Sequence, residues 1–120
     1  MPKASPRVDI VLFHSVLGRT PGFLAFAERL RAGGHAVHTP DLYQGETFDG
    51  YEEALAFLER FGGVPRLIER THEVAASLPA DVAYAGFSNG AGSAELLALV
   101  RPGARGALLV AGCAPVAMLG

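Results

Sequence analysis

Val82-Ala83-Tyr84-Ala85-Gly86-Phe87-Ser88-Asn89-Gly90-Ala91 decides how this chain is read. An apolar run, Val82 to Ala85, leads into Gly86-Phe87-Ser88-Asn89-Gly90, and a helix-like run from Ala91 to Val100 follows. The pattern Gly-x-Ser-x-Gly between a strand and a helix has a mechanical meaning. The glycines let the backbone turn sharply, and the turn lifts the serine hydroxyl above the end of the sheet. Ser88 is therefore the candidate nucleophile. The backbone N–H of Asn89, the next residue, is the expected first donor to the negative charge that develops when a serine attacks a carbonyl. An unassisted serine hydroxyl is a weak nucleophile and needs a base. After Ser88 the chain has one acidic residue, Glu95, and no histidine.

Working outward, the same alternation of strand and helix recurs. Val8 to Phe13 reads as a buried strand. Thr20 suits a helix N-cap and Pro21 its first turn, with Phe23, Phe26, Ala27 and Leu30 at helical spacing and Gly33-Gly34 as the stop. His35 to Thr39 is a second strand, ended by Pro40, and 41–49 is a polar loop. Helices are expected over Tyr51–Phe61 and Pro65–Leu78, the latter with Leu67, Ile68, Val74, Ala75 and Leu78 as core positions. A third strand is expected over Asp81–Ala85, a helix over Asn89–Val100 and a fourth strand over Ala107–Val110. Helices between consecutive short strands imply right-handed crossovers. The expected fold is thus α/β, a three-layer, doubly wound parallel sheet of about four strands in a single domain, 1–120. Ligand sites in such sheets lie at the carboxyl ends of the strands. Those ends are His14-Ser15, Pro40-Asp41, Gly86 to Ser88 and Gly112-Cys113.

Composition narrows the function classes. The 120 residues are 50% hydrophobic, enough for a real core, and the net charge of -2 with no Lys/Arg cluster argues against nucleic acid as a partner. The longest nearly apolar run, Ala107 to Leu119, is interrupted by Gly112 and Pro115 and is too short to span a membrane. Cys113 is the single cysteine and the start lacks a signal-peptide core, so a soluble cytoplasmic protein is expected. His35, His38 and His72 lack ligand-like spacing, and no phosphate-binding glycine pattern occurs, so neither a metal nor a cofactor is expected. Cys113 reads as a small apolar residue rather than a nucleophile.

Four segments taken together, Phe13-His14-Ser15-Val16-Leu17-Gly18, Gly34-His35-Ala36-Val37, Pro40-Asp41-Leu42-Tyr43 and Gly86 to Gly90, resemble the dienelactone hydrolase family of α/β-hydrolases. The resemblance runs over nearly the whole chain and covers the amino-terminal half of such a protein. It implies hydrolysis of an ester or lactone through a nucleophile–His–Asp triad. It also implies a second oxyanion donor at the backbone N–H of Val16, and the strand order 2-1-3-4. Named dienelactone hydrolases carry cysteine where Ser88 stands, so the substrate class is expected to differ from theirs. The family's acid and base lie in later strands, which points to a fragment of a longer enzyme.

Two further readings concern His14 and Asp41, which end neighbouring strands. In one, His14 orders the loop after the first strand and Asp41 pins the turn after Pro40. In the other, Ser88, His14 and Asp41 form a self-contained triad, since a triad is defined by geometry and not by chain order. Tyr43, Gln44 and Glu46 lie on a loop expected to line a pocket. Finally, the stretch from Ala107 to Gly120 carries no charge. An apolar strand at a sheet edge invites pairing, so the alternative function is a non-catalytic fragment or half-fold that associates with another chain through its open sheet edge, self-association through the fourth strand included.

Overall fold

The computed structural model describes residues 9–87 and 89–110, apart from the side chains at 89, 91, 109 and 110. The chain runs β1 (Asp9–Phe13), α1 (Pro21–Ala32), β2 (Ala36–His38), α2 (Tyr51–Phe61), α3 (Gly63–Ala75), β3 (Ala83–Phe87), α4 (Asn89–Val100) and β4 (Gly106–Val110). All strand pairs are parallel and the sheet order is β2-β1-β3-β4, the order expected from the sequence.

Side-chain alternation along β1 explains the layers. Val11 and Phe13 point to one face, where they join Tyr84 of β3 with Leu58 of α2, Leu67 and Ala75 of α3, and Ala94 and Leu97 of α4. Leu12 points to the other face and packs with Val37, Ala85 and the Phe23, Phe26, Ala27 and Leu30 side of α1. A strand with both faces covered must be apolar throughout, and Val11, Leu12 and Phe13 are all essentially inaccessible. Each such side chain contributes roughly 1.5–3 kcal/mol by leaving water.

Local signals set most helix ends. Thr20 caps α1, its hydroxyl accepting from the Phe23 N–H at 3.3 Å, and Pro21 occupies the first turn. Gly33 and Gly34 end that helix, Gly34 in the left-handed region at φ 98°. Two elements are shifted by two or more residues from expectation, while β2 is one residue shorter at each end and β4 begins one residue earlier. The third strand begins and ends two residues later than expected, because its pairing continues to Phe87: Gly86 sits opposite Phe13 on one side and Leu109 on the other. Tertiary pairing thus carries a glycine into the strand against its propensity. The third helix begins at Gly63 and stops at Ala75, three residues short of Leu78; the 76–78 stretch closes as turns, with Ser77 N–H and Leu78 N–H bonding back to Val74 and Ala75.

The carboxyl end of α4 is fastened by Arg101. Its guanidinium donates to the Leu78 carbonyl at 3.0 Å, the Pro79 carbonyl at 3.2 Å and the phenol oxygen of buried Tyr84 at 3.0 Å. Between α3 and α4 the Thr71 hydroxyl bonds the Leu67 carbonyl at 2.8 Å and the Ser93 hydroxyl at 2.9 Å, all out of water.

On the α1 face, α1 packs on β1, β2 and the Ala85 and Phe87 side chains of β3, and among the described residues no helix covers Leu108 of β4. The result is an apolar groove of about 290 Å³ lined by Leu12, Phe26, Leu30, Ala85, Phe87 and Leu108. Leu108 is 63% exposed there. Among the described residues no helix is long and apolar enough to cross a membrane.

The buried hydroxyl pair predicts a non-additive mutant cycle. Thr71→Val leaves the Ser93 hydroxyl unpartnered in the core and should destabilise by about 1–3 kcal/mol in urea unfolding. Adding Ser93→Ala removes the orphaned group and should recover much of that loss.

Candidate functional site

The Gly-x-Ser-x-Gly pattern spans the junction of β3 and α4. The strand ends at Phe87, the helix starts at Asn89, and Ser88 between them lies outside the described residues. The surroundings of the junction are defined by Gly90. A Cβ at this position would lie 2.5 Å from the Phe13 carbonyl oxygen and 2.8 Å from its carbonyl carbon, with the His14 carbonyl oxygen closer still. The first turn of α4 is therefore pressed against the carboxyl end of β1, and only glycine fits. The second glycine of the pattern thus has a steric cause: it lets α4 begin against the β1 terminus, from which the loop carrying Val16 departs.

That loop is tightly made. Gly18 N–H bonds the Ser15 carbonyl at 3.0 Å, and the Ser15 hydroxyl accepts from Leu17 N–H at 3.2 Å. Val16 at its tip is 3% exposed. Gly18 adopts φ +88°, and a side chain there would collide with the Glu46 carbonyl oxygen. The loop is also bonded to the segment after β2, where Phe48 N–H donates to the Leu17 carbonyl at 2.9 Å.

His14 ties the same two segments together from beneath. Its ring is 1% exposed. Nδ1 lies 2.7 Å from the Ser15 carbonyl oxygen, which can only accept, so Nδ1 carries the proton. Nε2 then accepts from the Leu42 N–H at 3.0 Å. Both nitrogens of the neutral ring are committed to backbone. Burial pushes this imidazole below its ordinary range; the Ser15 carbonyl and the Asp41 carboxylate oppose that shift and Arg19 adds to it.

Asp41 acts on its own turn. Oδ1 accepts from Tyr43 N–H at 2.9 Å and Oδ2 from Gly45 N–H at 2.8 Å, holding Gln44 and Gly45 in left-handed conformations at φ 55° and 97°. The Asp41 carbonyl takes an Arg70 guanidinium N–H from α3 at 3.2 Å. Between His14 Nε2 and Asp41 Oδ1 the distance is 3.9 Å, beyond hydrogen-bond range.

The structure thus brings His14, Val16, Asp41 and the β3–α4 junction to one end of the sheet. It gives His14 and Asp41 backbone partners consistent with the loop-ordering reading. Tyr43, expected on a pocket-lining loop, is instead core: it is 1% exposed, packed with Phe57 and Phe61 and edge-on to His14. Its burial pushes the phenol up to about 12. Gln44 and Glu46 are exposed on the same turn. Cys113, like Ser88, lies outside the described residues. His38 sits 3.7 Å from Asp9 at the outer edge of the sheet. The sequence reading missed the role of Leu42, because a backbone N–H has no signature in side-chain type.

No protein-family model matches the chain, and no curated protein matches it.

Two outcomes test this geometry. Gly90→Ala should cost about 1–3 kcal/mol or more in urea unfolding through overpacking. Gly92→Ala, two residues on but with nothing within 4 Å of its Cβ, should be neutral or stabilising by up to about 1 kcal/mol. The second outcome concerns pH. The native state holds His14 neutral more strongly than the unfolded chain does, so His14's contribution to stability is complete above about pH 6.5 and is lost as pH falls through the lower native value. Thermal unfolding between pH 7.5 and 5 should show this acid slope, and it should flatten in His14→Gln.

Proposed function

We propose that the chain belongs to a serine hydrolase acting on an ester or lactone bond, with Ser88 as nucleophile and the amides of Val16 and Asn89 as the oxyanion hole. One observation carries this reading: the Gly-x-Ser-x-Gly pattern falls where β3 gives way to α4, and Gly90 in the first turn of α4 is pressed against the β1 terminus from which the loop carrying Val16 departs. Acyl transfer needs a nucleophile and two converging N–H donors in that relation. The amino end of α4, which begins at Asn89, adds its positive dipole end to the place where an alkoxide would form.

In this reading Ser88 attacks the carbonyl carbon and the carbonyl oxygen, becoming negative, rests between the two amides. His14 and Asp41 hold the loops rather than relay the proton, since the imidazole nitrogens and the carboxylate oxygens have backbone partners. The resemblance to dienelactone hydrolases puts the general base and its carboxylate partner beyond the fourth strand. The substrate is a small molecule, and nothing in the site calls for a cofactor.

A fluorophosphonate serine probe tests the proposal. Label is expected on Ser88 and should vanish in Ser88→Ala. Folded protein that takes no label, or label that persists in Ser88→Ala, overturns it.

A second reading is favoured by exposed Leu108 on β4: a non-catalytic fragment or half-fold that associates with another chain, here a second copy, through its open sheet edge. Leu108, 63% exposed beside the apolar groove, is the residue such pairing would cover. On this reading size-exclusion mass should rise with concentration and fall to that of a monomer in Leu108→Lys; a monomer at all concentrations rules it out.

A further inference from the structure

The contacts around His14 form a closed circuit between the turn that carries Val16 and the turn after β2. Three links join the two turns: the Leu42 N–H on His14 Nε2, the Phe48 N–H on the Leu17 carbonyl, and the Glu46 carbonyl fitted against Gly18. Only the first contains a group that can change its charge. We propose that His14 is a positioning residue whose neutral form clasps the oxyanion turn, and that a proton on Nε2 releases the clasp and loosens the site. This deepens the hydrolase reading and rests on it for the role of Val16; the clasp itself does not.

The geometry makes the response directional. With Nδ1–H held by the Ser15 carbonyl, the only place for a second proton is Nε2. A proton taken there from solvent turns an acceptor into a donor facing the Leu42 N–H across 3.0 Å. Two donors cannot share that space. Asp41 Oδ1, 3.9 Å from the same nitrogen, is the acceptor within reach, and a movement of roughly 1 Å closes the gap to hydrogen-bond length. Oδ1 also holds the Tyr43 N–H, so drawing it toward His14 pulls on the turn from 41 to 45. Phe48 and Glu46 then pass that displacement to Leu17 and Gly18, which follow Val16 at the loop tip.

The surroundings of the ring set where this happens. The turn after β2 presents Asp41, which favours the proton, and Tyr43, whose ring centroid is 4.9 Å away and whose phenol stays neutral across the range concerned. The segment entering α1 presents Arg19, which disfavours the proton, and α1 itself presents the edge of Phe23. From α3, Arg70 donates to the Asp41 carbonyl and to the Glu73 carboxylate, and α4 presents Gly90. The clasp is therefore closed at neutral pH and opens on the acid side.

Nuclear magnetic resonance on the full chain tests this without reference to catalysis. Between pH 8 and 4.5 the His14 ring nitrogens report tautomer and midpoint, while amide exchange at Leu42 and Phe48 reports the clasp. At neutral pH Nδ1 should carry the proton. On acidification the protection of the Leu42 amide, relative to its intrinsic rate at each pH, should fall by about tenfold or more at the His14 midpoint. Phe48 should follow at the same midpoint, while the β1–β2 ladder amides should not. His14→Gln offers Leu42 an acceptor that does not titrate and should abolish the pH dependence at both amides. Asp41→Asn should move the His14 midpoint further down.

The clasp is overturned if Nε2 carries the proton in the neutral ring, or if Leu42 protection does not track the His14 midpoint. It is also overturned if a folded His14→Gln keeps the wild-type response. Should that variant fail to fold, the wild-type tautomer and midpoint still decide. Serine labelling reports separately: a tracked clasp with no label on Ser88 refutes the hydrolase reading alone, and label without a tracked clasp refutes this inference alone.

Discussion

The close approach of α4 to the carboxyl end of β1 governs the rest of this structure. The carbonyl oxygens of Phe13 and His14 occupy the space where a side chain at position 90 would go. Because glycine gives way, β3 can pair with β1 as far as Gly86 opposite Phe13, and the chain can reverse into a helix after a single intervening residue. That turn arrives beside the loop from 15 to 18 without a long connection. A loop is held at this spot by two strands and a helix, and it acquires rigidity from elements far larger than itself.

The second constraint is polar and lies one layer deeper. His14 is buried among aromatic rings, where an unpartnered ring nitrogen would be costly. Both nitrogens are satisfied by main chain, one on each of two loops, so neither loop can shift without disturbing the ring. Asp41 repeats the arrangement on a smaller scale, spending its carboxylate on two amides of its own turn. Side chains that look like catalytic candidates by type are here employed in fixing backbone, and the backbone is what an oxyanion hole requires.

The parts of this fold legible in the sequence were those controlled by local chemistry. Thr20-Pro21 marked the start of α1 and Gly33-Gly34 its end; α2 and α4 have the expected bounds because their breakers lie next to them. The parallel sheet followed from strand–helix alternation, and its order from the resemblance alone. What escaped was set by distant partners. Gly86 and Phe87 have little strand character of their own, yet β1 and β4 draw them into the ladder. Thr71 is not among the apolar positions that mark the core face of α3, and its burial depends on the Ser93 hydroxyl 22 residues later. Tyr43 was assigned to a loop by its neighbours in sequence, but three phenylalanines around it, Phe48, Phe57 and Phe61, claim it for the core. At the site, residue types suggested His14 and Asp41 as a pair, while the Leu42 amide that separates them could be found only in three dimensions.

Arg101 adds a consequence for mechanics. Its three bonds moor the far end of α4 to the connection between α3 and β3 and to Tyr84. A helix of 12 residues is a rod about 18 Å long, stiff along its axis. Anchoring one tip of such a rod sets the axial position of the other, so the depth to which Gly90 is driven into the β1 terminus is fixed in part by a guanidinium at the opposite pole of the domain. Slack introduced there would be transmitted along the rod to Gly90 and its seat against the β1 terminus.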